Sequence, residues 1–108
     1  MSAEYDLSEA AQQSIDDIFN YTLDVWGEAQ AKSYLGDLFA MFEAIAKGDA
    51  VGHLIQPEYG VMGRYIQVGK HFIYWHWDGD DLLIAEILHE RMNRGDHLCA
   101  SSHLPPQR

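Results

Sequence analysis

Between Met62 and Met92 the chain reads MGRYIQVGKHFIYWHWDGDDLLIAEILHERM, three runs rich in β-branched and aromatic residues cut by two glycine-bearing breaks. Gly69-Lys70 separates the run ending in Val68 from the one starting at His71, and Gly79-Asp80, after Asp78, separates that run from Leu82 to His89. Breaks of this size between such runs predict a three-stranded antiparallel meander with two-residue turns. Two-residue turns also set a register: Val68 opposite His71, Ile66 opposite Ile73, Arg64 opposite Trp75, Met62 opposite Trp77, Trp75 opposite Ile84 and Ile73 opposite Glu86. Strict alternation then collects Met62, Arg64, Ile66, Ile73, Trp75, Trp77, Leu82, Ile84, Glu86 and Leu88 on one face. It leaves Tyr65, Phe72, Tyr74, Leu83, Ala85 and Ile87 on the other. Neither face is polar, so both need a cover. One cover is expected from the chain's own helices and the other from a partner protein.

Ahead of the meander the period changes from two to nearly four. Tyr5 to Leu7 predicts a short edge strand, and Ser8 is a good helix N-cap with Glu9 behind it. Ala11, Ile15, Ile18, Phe19, Thr22, Val25 and Trp26 then form an apolar stripe opposite acidic and amide residues, ending at Gly27. Ala31, Tyr34, Leu35, Leu38, Phe42 and Ile45 form a second stripe over Glu28 to Lys47, with Gly48 as its stop. So short a link predicts an antiparallel helical hairpin. At this spacing the aromatic residues Phe19, Trp26, Tyr34, Phe39 and Phe42 read as core rather than as a cofactor box. The segment 49–60, with Pro57, is irregular. The expected fold is α+β: a short N-terminal strand, a helical hairpin and a three-stranded antiparallel meander. Residues 1–98 form one domain, and 99–108, with Pro105-Pro106, are expected to be a disordered tail.

At 108 residues the chain is large enough for one self-sufficient core. Its formal charge of -10 is concentrated in the N-terminal half, where ten acids face two bases. Such a field disfavours direct nucleic-acid binding and suits a basic or neutral protein partner. The single Cys99 rules out an intrachain disulfide. The N-terminal residues lack a signal-peptide pattern and no stretch has the apolar length of a membrane span, so a soluble cytoplasmic protein is expected.

Candidate chemistry is sparse. His89-Glu90-Arg91-Met92-Asn93 fails the zinc-protease pattern because Asn93 stands where the second histidine is required. Six histidines show no i,i+4 pair, and there is no phosphate loop or nucleophile elbow. No catalytic residue, metal site or cofactor is therefore expected. The few cations are informative: Arg64, Lys70, Arg91 and Arg94 lie on or just after the meander. One reading of Arg64 is a guanidinium stacked on Trp75 and paired diagonally with Glu86; the other is a contact to a partner's carboxylate or carbonyl. The expected partner-binding residues are Arg64, His71, Trp75, Trp77, Glu86, Arg91 and Arg94.

Several motifs in order resemble the ParE branch of the RelE/ParE toxin superfamily. They are Tyr5-x-Leu7-Ser8-x-Ala10-Ala11, Asp17-Ile18-x-x-Tyr21-Thr22, Trp26-Gly27-x-x-Gln30-Ala31-x-x-Tyr34-Leu35, Arg64 followed by Val68-Gly69-Lys70-His71-x-Ile73, and Ile87-Leu88-His89-x-Arg91-Met92 with His97-Leu98. The resemblance spans about Tyr5 to Leu98. It implies the toxin of a type II toxin-antitoxin module, neutralised by a ParD-like antitoxin whose C-terminal segment wraps it. It further implies DNA gyrase as the target, since characterised ParE-like toxins block gyrase turnover. RelE-like relatives instead cut messenger RNA at the ribosome with lysine, arginine and tyrosine side chains. This chain departs from that set: His71 stands at a position usually held by arginine, no lysine pair precedes Arg64, and the C-terminal tyrosine is missing. Without those cations a phosphate transition state would go unstabilised. The sequence also has Glu86 and His76 where basic residues are common among ParE-like relatives. The alternatives are a ribosome-dependent messenger-RNA interferase of the same fold and a non-toxic relative that only binds an antitoxin.

Overall fold

The computed structural model describes residues 4–107. Its elements are β1 (Asp6–Leu7), α1 (Glu9–Trp26), α2 (Glu28–Lys47), β2 (His53–Leu54), a 3-10 turn at Pro57–Tyr59, β3 (Arg64–Val68), β4 (His71–Asp78), β5 (Asp81–His89) and α3 (Arg94–Cys99). The expected strand, helical hairpin and meander are all present. The strands form one sheet in the order β1-β5-β4-β3-β2. β1 runs parallel to β5, and all other pairs are antiparallel.

Local chemistry explains where the helices start and stop. Ser8 is extended and its hydroxyl accepts from the Ala11 N–H, satisfying one of the free donors of the first turn. Gly27 alone joins α1 to α2: its N–H donates to the Leu23 carbonyl, and its own carbonyl accepts from Ala31 N–H. At φ 93° it occupies backbone space that side-chain-bearing residues rarely reach, and this permits a one-residue reversal.

The hairpin of helices packs on one face of the sheet. Ala11, Ile18, Leu35, Leu38, Phe42 and Ile45 meet Ile73, Trp75, Leu82, Ile84 and Ile87. The β3–β4 register is the one expected from Val68 opposite His71 to Arg64 opposite Trp75, although Met62 pairs with Pro105 rather than with Trp77, and β4–β5 is as expected from Asp78 opposite Asp81 up to Trp75 opposite Ile84. There the alternation breaks. Tyr74 lies opposite Glu86 and Ile73 opposite Ile87, so Ala85 is an extra residue, a β-bulge. The expected pairing of Ile73 with Glu86 is therefore wrong. Downstream of the bulge Ile87 joins the helix face, while Glu86 and Leu88 pass to the opposite one. The bulge has a visible cause: Ser8 N–H donates to the Ile84 carbonyl and Ser8 Oγ to the Ala85 carbonyl, so the helix cap grips the strand where it kinks.

The second face also departs from expectation. Tyr74, Ala85 and Leu88 are covered by Ile55, Val61, Leu98 and Leu104, all supplied by the chain itself. Nor is the tail disordered over its described residues. Val61 bridges Pro106, Met62 N–H donates to the Pro105 carbonyl (2.8 Å) and Gln107 N–H to the Gly60 carbonyl (2.9 Å). Isolated leucines in a polar stretch supply the cover that the sequence argument assigned to a partner. Among the described residues no helix is long and apolar enough to cross a membrane.

A candidate docking surface on the helical hairpin

With both sheet faces shielded, unsatisfied apolar surface is found on the helices. Between α1 and α2, on their solvent side, lies an open groove of about 720 Å³, with Ile15, Phe19, Leu35 and Phe39 among its lining. Gly36 lies in the same groove, and a methyl group added there would meet no other atom within 4 Å. Beyond the groove, at the tip of the hairpin, Tyr21 is 66% and Trp26 69% exposed, with Val25 beside them. Phe42 and Tyr34 keep the aromatic stripe anchored in or near the core, but Phe39 and Trp26 do not belong to it. The sign was already present in the last two turns of α1, where Tyr21, Leu23, Val25 and Trp26 exceed what a single buried stripe can take up.

The polar residues along the groove are mixed in charge. Asp16 and Lys32 line it, and Lys32 is tied to Glu28 at 2.8 Å on the same helix. Helical spacing extends the α1 row from Asp16 back through Gln13 to Glu9, and the α2 row from Phe39 on to Glu43. Because the helices are antiparallel, Glu9 and Glu43 share one end, next to Tyr5. Burial, then the Glu43 charge, raise the Tyr5 pKa.

Where α2 meets the β3–β4 turn, one side chain ties the layers together. The Tyr34 hydroxyl donates to the Val68 carbonyl (3.0 Å) and accepts from Lys70 N–H (3.2 Å), and His71 Nδ1 lies 2.7 Å from the same oxygen. The hydroxyl has one proton, so the tautomer of His71 decides whether its Nδ1 donates to this oxygen or accepts from it. Gly69 makes this possible, because its φ of 57° suits glycine and a Cβ there would lie 2.7 Å from the Tyr34 ring. His71 also packs edge-on against His89, with ring centroids 5.1 Å apart. Burial, then the His89 imidazole, lower its pKa to about 4, against a smaller opposing pull from Glu90. Sequence reading missed this junction because its members come from three distant segments.

The seven residues expected to bind a partner do not converge. Arg64, half-buried, lies opposite Trp75 in the β3–β4 register, whereas Glu86 projects from the other face; the diagonal Arg64–Glu86 pairing does not form. Trp75 is 1% exposed and packs against Gly52, so it is core and not offered to a partner. Trp77 is partly exposed at the far end of β4, and Arg91 is exposed after β5. Arg94 lays its guanidinium 4.6 Å from the Phe72 ring centroid on the second face. Beside it, the Tyr74 hydroxyl is buried with no hydrogen-bond partner; burial raises its pKa, and the nearby Arg94 charge partly offsets this without closing a hydrogen bond of good geometry. Among the described residues no group of three or more His, Cys, Asp or Glu is placed to hold a metal ion.

Comparison with known proteins places this geometry in context. The family profile described as "ParE toxin of type II toxin-antitoxin system, parDE" matches residues 5–94. The chain is 32% identical over 97 residues to Toxin ParE1 of Mycobacterium tuberculosis, covering 86% of this chain and 95% of the relative. It is 33% identical over 96 residues to Toxin ParE1 of Caulobacter vibrioides, covering 87% and 96%. Its fold is similar to a chain in the solved structure of a chromosomal ParDE toxin-antitoxin system from P. aeruginosa, with a TM-score of 0.64, 14% identity and coverage of 82% and 96%.

Proposed function

The chain belongs to the ParE toxin family of type II toxin-antitoxin systems, and from that premise we propose that it is a non-enzymatic toxin, held silent by a ParD-like antitoxin seated on the helical hairpin, that acts on DNA gyrase. The observation that carries the antitoxin part is the open apolar groove between α1 and α2, with the exposed Trp26 further along the same hairpin. An amphipathic helix laid into such a groove would bury Phe19, Phe39 and Trp26 together, the helix-in-groove mode of recognition.

A protein target fits the charge. A formal -10 opposes approach to a phosphate backbone, and the cations that could stabilise a phosphate are dispersed: Arg64 and Arg94 lie on opposite faces of the sheet. Gyrase itself is carried over from the family resemblance. The purified chain is expected to inhibit supercoiling by gyrase and to accumulate cleaved DNA complexes, with equimolar antitoxin restoring activity. Unimpaired supercoiling at saturating toxin would remove gyrase as the target, and failure of the cognate antitoxin to bind would remove the partner assignment.

A further inference from the structure

A second pocket, of about 370 Å³, opens between the first turn of α1, α3 and the segment after it, with Ala10, Glu86, Asp96, His97, Ser101 and His103 among its lining. Its chemical centre is Glu86, delivered to this side of the sheet by the bulge at Ala85 and only 9% exposed. Its Oε2 accepts from Ser101 Oγ at 2.7 Å. Among the described residues nothing donates to Oε1, and no lysine or arginine pairs with this carboxylate. Oε1 is nevertheless not sealed in, because the Tyr74 hydroxyl is the one fully buried side-chain polar atom among them that lacks a partner. Oε1 therefore keeps some accessible surface, and Glu86 is among the residues that line the pocket.

A carboxylate so far removed from solvent is costly unless a cation and donors complete it. The walls are suited to a cation. Asp96 adds a second carboxylate, and Ser101 and Ser102 add hydroxyl oxygens. A planar guanidinium, with several donors in a fixed fork, matches two carboxylates and hydroxyls better than a point-charge ammonium. We propose that this pocket accepts the guanidinium of an arginine side chain carried by a partner polypeptide. The antitoxin reading supplies only the identity of that partner, and the pocket can be tested on this chain alone.

The test is an NMR titration of the intact chain with Nα-acetyl-L-arginine methylamide, with the lysine and glycine analogues as controls. Saturable shifts at Glu86, His97 and His103 are expected with arginine, at a Kd on the order of millimolar, as suits a single anchoring side chain. Glu86→Gln should weaken that binding by about tenfold or more, a loss near 1.4 kcal/mol. Asp96 is exposed, so Asp96→Asn provides a second variant that keeps the fold if Glu86→Gln does not, and it too should weaken binding. The proposal is overturned by arginine shifts no different from those with glycine, by lysine binding as tightly as arginine, or by undiminished binding in the variants. None of these results bears on the α1–α2 groove, so the antitoxin assignment stands or falls separately.

Discussion

At the scale of single residues, His71 is the clearest case of a side chain whose environment sets its chemistry. Its pKa falls from 6.5 to about 4 because the half-buried ring is poorly placed to hold charge beside His89. The unfolded chain therefore binds more protons than the folded one between those values. Its contribution to stability is fully present above about 6.5 and is lost as pH falls toward about 4, below which both states are protonated. The melting temperature of the wild type is expected to drop over that window more than that of His71→Gln. Parallel curves for the two proteins would show that His71 ionises freely. Trp75 teaches the opposite lesson. Its position in the register was readable from the sequence, but its role was not, because an aromatic on a β-strand is equally at home in a core and at an interface.

At the scale of elements, the turns at Gly69-Lys70 and Gly79-Asp80, the Ser8 cap and the Gly27 and Gly48 stops were all legible, since each depends on chemistry within a few residues. The bulge was not. Leu83, Ile84, Ala85, Glu86, Ile87 and Leu88 offer almost no polar alternation to reveal a slip, and the Ser8 contacts that fix it lie at the other end of the chain. Slipping one residue is enough to move Glu86 from the helix face to the opposite one. The helix α2 yields a sharper test of the groove. Gly36 is exposed in mid-helix with open space around it, so Gly36→Ala should stabilise the free chain by about 0.5–1 kcal/mol. If a partner helix seats in the groove, the same methyl should weaken antitoxin binding. A more stable variant with unchanged affinity, measured by calorimetry, would place the antitoxin elsewhere.

At the scale of the whole molecule, the sheet is a layer between two covers of unequal kind. One is a long helical hairpin; the other is assembled from a 3-10 turn, a six-residue helix and a strap ending near Pro106. Two apolar faces in the sequence imply two covers, but the second was not legible as the chain's own, because Leu98 and Leu104 are single apolar residues without a periodic signal. Removing one of them should be costly: Leu104→Ala is expected to lower stability by about 2–4 kcal/mol, read by chemical denaturation. A loss within error of zero would mean that the strap merely rests on the sheet. The candidate sites follow the same division. The groove belongs to the cover that was legible, and the Glu86 pocket lies under the one that was not.

The pairing of β1 with β5 has a consequence for how the molecule comes into being. Residue 6 finds its neighbour at residue 83, and Ser8 grips a strand that leaves the ribosome 77 residues later. A nascent chain can form its helices early, yet its sheet cannot close until nearly all of it has been translated. Closure of the sheet, and with it the anchoring of the helical hairpin, is thereby postponed to the end of synthesis.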